Sequence, residues 1–314
     1  MPRHLTTVLV GLGAFLVTAA VVLRFYGPAQ LAVAEPDPRE VVALRADDAT
    51  VFVPATQTEV TTDVTDKQRT VGDLDAAEKA SDDVVVWFTT TTRQTEDGTV
   101  VQQSMARTAM DAATAEARPC CESFAEVVDE AIADDRRTGL VLKFPFGTEQ
   151  RSYQVWDSTL GKPVKADFRG TEDVDGVTAY RFVTEVPATV VGTEEVVAES
   201  IGLPGEGTVT TDRSYAVART LYVEPRTGAI LDEVRDVTET LTRDGAVVRT
   251  LFDGRLSYTD EQVRANAEKY GDRAAQLTLV EVTLPVVAVA AGLACHDGQD
   301  RGKGRGSGAG QHRP

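Results

Sequence analysis

The hydrophobic pattern of the chain opens with an unbroken apolar run, Leu5 to Leu23 (LTTVLVGLGAFLVTAAVVL), 19 residues without an ionised side chain. As a helix rising about 1.5 Å per residue it would reach roughly 29 Å, which matches a hydrocarbon core of about 30 Å. Arg24, Phe25 and Tyr26 follow it as interfacial residues would. Three fates are open to such a run: uncleaved anchor, cleaved signal peptide or buried core helix. It is too long and too uniformly apolar for a core helix, and the small-residue cleavage site, Ala32-Val33-Ala34, lies well past the run. The pattern therefore predicts a transmembrane anchor over residues 5–23. It follows a cytoplasmic N-terminus, residues 1–4, whose Arg3 and His4 supply a thin positive-inside signal.

Gly27-Pro28 and Glu35-Pro36-Asp37-Pro38 break any helix and predict a linker over 24–40. From Val84 the pattern turns to strand, with VVVWFTTTTRQ followed by an Asp97-Gly98 turn. The same device recurs at Asp175-Gly176 and Asp244-Gly245, and Pro225-Arg226-Thr227-Gly228 makes a fourth turn. Four hairpins predict an antiparallel sheet, because parallel strands would need long crossovers. Two helices are expected to pack on it. One starts at Ser123 with Glu126 as a capping box, presents Phe124, Val127, Val128, Ala131 and Ile132, and ends at Gly139. The other starts at Asp260, capped by Thr259 with Gln262 three residues on, and runs toward the C-terminal apolar stretch. That stretch, Leu277 to Cys295, is a second candidate span, interrupted by Glu281 and Pro285. Beyond it, Arg301, Lys303, Arg305 and Arg313 sit among glycines in a flexible basic tail over 296–314 that suits the cytoplasmic side. The domain expected outside the membrane is then residues 41–276.

Charge and composition narrow the function. A net charge of -17 leaves no basic surface for nucleic acid, so no nucleic-acid partner is expected. Histidine occurs only as His4, His296 and His312, which excludes Ser-His-Asp, Cys-His and His-containing zinc chemistry from the whole expected domain. The first of the three cysteines is Cys120, too far from the apolar run for a lipoprotein attachment. Adjacent Cys120 and Cys121 leave open a vicinal disulfide, two buried thiols, or intermolecular pairing or metal; Cys295 lies beside the second apolar run. Gly202 to Gly207 (GLPGEG) lacks the Gly-Lys-Ser/Thr of a phosphate loop. Glu172 to Gly176 lacks the later bidentate Glu of a calcium loop. Asp82-Asp83 and Asp134-Asp135 are paired in sequence only. No catalytic residue, cofactor or metal ligand is assigned. The densest aromatic region, Phe144, Phe146, Tyr153, Trp156, Phe168, Tyr180 and Phe182, is either a packed β core or an apolar groove for an envelope lipid.

Several motifs occur in a fixed order: Gly11-Leu12-Gly13-Ala14-Phe15, Leu23-Arg24-Phe25-Tyr26, Lys143-Phe144-Pro145-Phe146-Gly147-Thr148-Glu149 and Tyr153-x-x-Trp156-Asp157. They are followed by Gly202-Leu203-Pro204-Gly205, Leu221-Tyr222-Val223-Glu224-Pro225-x-Thr227-Gly228 and Leu256-x-Tyr258-Thr259-Asp260. In this order they resemble the actinobacterial PorA-like family of cell-envelope membrane proteins. The resemblance implies an N-terminal span, a β-rich extracytoplasmic domain and a C-terminal span over 277–295. Gly170 to Gly176 with Tyr180 also looks like the hairpins of periplasmic lipoprotein carriers, whose curved sheet holds acyl chains. The fold expected is α+β, mainly β: a large, curved antiparallel sheet with one or two packed helices, flanked by transmembrane helices. The function expected is a non-catalytic, membrane-anchored module that binds lipid or ligand or assists envelope assembly, with the lipid membrane and an envelope lipid or protein as partners. The alternatives are a pore-forming or transport component and a structural scaffold. The pore ranks second because a membrane β-barrel needs strands of about 9 to 11 residues with an apolar outer face, whereas this pattern predicts helical spans.

Overall fold

Alternating burial and β-branched side chains turn most of the chain into strands, as a computed structural model shows for residues 3–127, 130–133, 136–204 and 206–303. The molecule divides into two units. One comprises the residues up to Val33 with those from Asp272 onward, and the other is Ala34–Gly271.

The second unit carries twelve strands among the described residues: β1 (Glu40–Val53), β2 (Thr58–Gly72), β3 (Val84–Thr95), β4 (Val100–Asp111), β5 (Phe124–Val127), β6 (Glu130–Ala133), β7 (Tyr153–Asp157), β8 (Lys162–Val174), β9 (Val177–Val197), β10 (Thr208–Val223), β11 (Ile230–Arg243) and β12 (Ala246–Tyr258). They form one antiparallel sheet in the order β6-β5-β4-β3-β2-β1-β12-β11-β10-β9-β8-β7. Consecutive strands therefore lie side by side except β6 and β7, which fall at opposite ends of the order, and at the centre β1 pairs with β12 and joins two meanders. The four expected turns join β3 to β4, β8 to β9, β11 to β12 and β10 to β11. Asp175 and Asp244 take positive φ, 48° and 52°, ahead of their glycines, the twist a two-residue hairpin needs.

The sheet curls strongly. β3 and β11 are four strand spacings apart, which in a flat sheet is roughly 19 Å. Yet Arg93 Nη1 on β3 lies 4.0 Å from Glu239 Oε1 on β11. The face that holds them is therefore the inner face. Leu44, Val51, Val64, Val186, Val217 and Phe252 pack in one buried cluster on it, drawn from β1, β2, β9, β10 and β12. On the outer face, the short helix α3 (Leu74–Ala77) is capped by Asp73 and covers Val86 and Ala109.

The helix expected from Ser123 to Gly139 is not formed. The described part of that stretch is the β5–β6 hairpin, added to β4 through Met105, Ala106 and Arg107. Ser123 caps nothing helical: its hydroxyl donates to Cys120 O at 3.0 Å and accepts from Ala109 N–H at 3.3 Å. A short apolar run satisfies both helical and strand spacing, and the open edge of β4 decides the outcome by supplying partners for the backbone. Val128, Asp134 and Asp135 lie outside the described residues.

In the first unit, α1 (Arg3–Phe25) is followed by the short α2 (Gly27–Leu31). A long helix starts as α4 (Asp260–Thr278), where Thr259 Oγ1 accepts from Gln262 N–H at 3.2 Å as expected. It passes through a π-helical turn, Leu279–Thr283, into α5 (Leu284–Lys303). Its 260–294 stretch is long and apolar enough to cross a membrane by length and composition, and Gly11–Phe25 of α1 is a shorter apolar helix. The backbones of α1 and α5 come close at Gly292, where an added Cβ would meet Gly13 O at 3.1 Å and Val17 Cγ2 at 3.0 Å.

The β10–β11 turn fixes one end of the sheet. Gly228 takes φ +70°, and its carbonyl accepts from Phe144 N–H at 2.8 Å. A Cβ there would overlap the Phe144 carbonyl oxygen. Gly228→Ala should cost about 3 kcal/mol from the left-handed backbone and the overlap together. The melting temperature should then fall by roughly 6–12 °C in a domain of this size. A fall of under about 2 °C, measured by thermal unfolding, would show that the turn is free to relax.

Candidate functional site

Strand alternation puts Glu233, Arg235, Val237 and Glu239 of β11 on one face, and direct pairing puts Arg219 opposite Arg235 and Tyr215 opposite Glu239. The same logic puts Asp66 opposite both Leu44 and Arg93. The inner face is therefore built from charged side chains set among apolar ones. Arg93 binds Asp66 in a fork, Nε to Oδ1 at 2.7 Å and Nη2 to Oδ2 at 2.8 Å, and stacks its guanidinium 3.9 Å from the centre of the Phe252 ring. Arg213 Nη2 donates to Glu239 Oε2 at 2.6 Å. Glu233 accepts from Arg219 Nε at 2.9 Å and from Arg235 Nε at 2.6 Å. Tyr215 Oη donates to Asp157 Oδ2 at 3.1 Å, and Leu160 N–H donates to Oδ1 of the same carboxylate at 2.8 Å.

The electrostatics follow from this crowding. Burial pushes the Glu233 carboxyl up, and the charges of Arg219 and Arg235 outweigh it, so Glu233 sits below its ordinary value of 4.5. The Tyr215 phenol is raised by burial and then by Asp157, and the Tyr258 phenol by burial and then by Glu233. At neutral pH Glu233 is thus held as a carboxylate between two guanidinium groups, and Tyr215 and Tyr258 as neutral phenols. Such charges can orient and sort ions by sign.

The expected aromatic site lies to one side of this network. Phe144 stacks on Phe182 at 4.6 Å and meets Tyr153 edge-on at 5.4 Å, while Phe168 meets Tyr180 at 5.5 Å and Phe182 at 5.8 Å. Leu140, Ala166, Leu221 and Val223 complete that buried cluster. Phe146 is engaged instead with the Lys143 ammonium, 3.6 Å from its ring centre. Trp156 lies on β7 opposite Pro163, its ring N–H buried without a hydrogen-bond partner. Cys120 and Cys121 are bridged to each other, and both pack against the outer-face cluster of Ala76, Val86 and Ala109. In the 172–176 turn, Asp173 accepts from Gly176 N–H at 3.0 Å and Glu172 pairs with Arg181, a hairpin arrangement. Asp83 pairs with Arg118, and Gly202 ends a single 3₁₀ turn in the left-handed conformation. No group of carboxylates, cysteines or histidines is placed to hold a metal among the described residues. The side chain of Cys295, like all of Gly205, lies outside them.

Sequence reading missed the charged inner face. The available signal was the spacing of Glu233, Arg235, Glu239 and Arg243 at even intervals on a strand flanked on both sides, where a solvated face is not available.

Fold and site define a mainly β protein with a curled antiparallel sheet, a charged inner face and, among the described residues, one long apolar C-terminal helix and a shorter apolar N-terminal one. The chain belongs to the Porin PorA family, whose model matches residues 5–296. It is similar to Porin PorA of Corynebacterium amycolatum, 27% identical over 161 residues that cover 43% of this chain and 42% of that one. It is also similar to Porin PorA of Corynebacterium resistens, 25% identical over 163 residues covering 37% and 40%. The chain thus spans about two fifths of the length of these curated relatives. The family brings association with the membranes of the cell envelope. It also corrects the expected function: a lipid- or ligand-binding or envelope-assembly module is overturned by a match to porins that runs over nearly the whole chain.

Removing one member of a buried ion pair leaves a charge without a partner. Arg93→Met should therefore cost about 3–5 kcal/mol, and adding Asp66→Leu should restore most of that loss. Urea unfolding of the two variants checks this, and a double variant no more stable than the single would show that the pair is not coupled. Because the Glu233 pKa is lowered, its contribution is complete above the unfolded value of 4.5 and is lost as pH falls through the folded value. Between about pH 6 and pH 3 the urea midpoint should fall less steeply for Glu233→Gln than for the unaltered chain; parallel profiles would contradict the assignment.

Proposed function

We propose that this chain is a non-catalytic pore-forming or transport component of the cell envelope. The observation that carries the reading is the family match over residues 5–296. The inner face supports it: fixed charges of both signs on a curled sheet, anchored by direct pairs, are suited to sorting ions and small polar solutes. The sheet runs from β6 to β7, and backbone bridges through residues 115–118 and 139–141 link β4 to β7, Ala117 N–H donating to Gly139 O and Leu140 N–H to Gln154 O.

The helices are proposed as two membrane spans, over 5–23 and 277–295, with the β unit on the extracytoplasmic side. Phe15, Val21 and Val22 of α1 and Val286, Val287 and Leu293 of α5 are exposed, a large apolar surface for water and an ordinary one for lipid. The close approach at Gly292 is the small-residue packing that helices use within a bilayer.

The purified full chain in planar bilayers should give discrete conductance steps whose frequency rises steeply with protein concentration. Silent bilayers, with insertion confirmed by flotation, would overturn the pore reading. An impermeant thiol reagent should label Glu96→Cys, in the β3–β4 turn, on intact cells above the background of the unaltered chain. Labelling only after lysis would place the β unit inside the cell.

A further inference from the structure

Around Leu241 the inner face carries donors without acceptors. Leu241 of β11 is directly opposite Arg213 of β10 and Arg249 of β12, so all three side chains share one face. Arg243, two residues along β11, points to that face as well. Each of the three arginines has a guanidinium nitrogen that is buried and without a hydrogen-bond partner: Arg213 Nε, Arg243 Nη1 and Arg249 Nε. Arg249 is the extreme case. It is 9% exposed, lies with its guanidinium 4.3 Å from the centre of the Phe52 ring, and makes no ion pair or hydrogen bond with a described residue.

The nearby carboxylates do not answer this demand. Glu239 is taken by Arg213 and faces Arg93, and the Asp244 carboxylate reaches only to 3.8 Å from Arg243 while almost wholly exposed. A buried guanidinium holds its charge at any ordinary pH, so it must be neutralised from elsewhere. Of the three, Arg213 keeps Glu239 as its partner and Arg243 has only the exposed Asp244, while Arg249 has no carboxylate among the described residues, in a chain whose net charge is -17.

We propose that Arg213, Arg243 and Arg249 form a binding site for a small oxyanion of the phosphate class on the inner face beside Leu241. An oxyanion presents several acceptor oxygens at once, and the forked donors of arginine match that geometry better than a lysine would. Leu241 keeps the floor of the site apolar and strengthens each charge-assisted bond by excluding water. The site lies wholly within Ala34–Gly271 and holds whether or not the chain conducts.

The test is the full chain in detergent, titrated with inorganic phosphate against sodium chloride at equal ionic strength, with heat of binding and thermal unfolding as readouts. Phosphate should bind saturably and raise the melting temperature. Arg243→Gln, at a half-exposed position that tolerates the change, should weaken phosphate at least tenfold, and Arg249→Gln by more. Arg249→Lys should recover only part of the affinity, because the charge returns without the fork. The absence of saturable binding to the unaltered chain overturns the proposal, as does an affinity unchanged in Arg243→Gln. Should Arg249→Gln fail to fold, Arg243→Gln and Arg213→Lys decide the matter alone.

Discussion

A guanidinium on the inner face of a sheet must find a carboxylate, and in this molecule the carboxylate for Arg93 comes both from the adjacent strand and from four strands away. Asp66 is supplied by register, since it stands directly opposite Arg93. Glu239 is supplied by curvature. Twist alone would coil twelve strands, but the ion pairs allow only the curl that brings β3 within reach of β11. Such pairs add little net stability compared with apolar side chains of equal volume. Their effect lies in selection: a slip of one residue would turn Asp66, Glu233 and Glu239 to the outer face and leave their arginines buried alone.

The two ends of the inner face are closed by different physics. Near β7 to β10 the aromatic cluster of Phe144, Tyr153 and Phe182 is held by ring contacts and by the turn at Gly228, which takes the Phe144 backbone N–H. From β2 and β3 across to β10 and β11 the inner face mixes apolar and charged side chains, with Phe252 beneath Arg93 linking the two kinds of packing. Charged groups persist in this interior because Asp66, Asp157 and Glu233 each accept at least two hydrogen bonds and Glu239 accepts one from Arg213 with Arg93 nearby. The region around Leu241 departs from that rule, with donors in excess.

How legible this was depended on how local the cause is. The Asp-Gly turns were readable because the residues that set the turn are adjacent in sequence, both left-handed at Asp175-Gly176 and Asp244-Gly245. The cap at Thr259 was readable for the same reason. The stretch after Ser123 was misread because a capping box and an apolar periodicity are also local signals, while the edge of β4 that recruits it as a hairpin is distant in the chain. The inner-face pairs lay further out of reach. Arg93 and Asp66 are separated by one hairpin, but Arg93 and Glu239 meet only after the two meanders have joined at β1 and β12. Charged residues at alternate positions read as a solvated face until the strand is known to be central.

The function was misjudged through a related assumption. A pore was ranked second because a membrane barrel needs strands with an apolar outer face, whereas the sequence pattern predicts helical spans. That argument concerns one way of building a pore, by strands in lipid. It does not bear on the sheet of this chain, whose charged pairs lie on its inner face. The composition divides the two kinds of side chain: the exposed valines and leucines concentrate in α1 and α5, and the arginine–carboxylate pairs concentrate inside the sheet. The proposed pore role is therefore to be tested at the pairing of charges inside the curl, where a carboxylate removed or an anion added changes the local field.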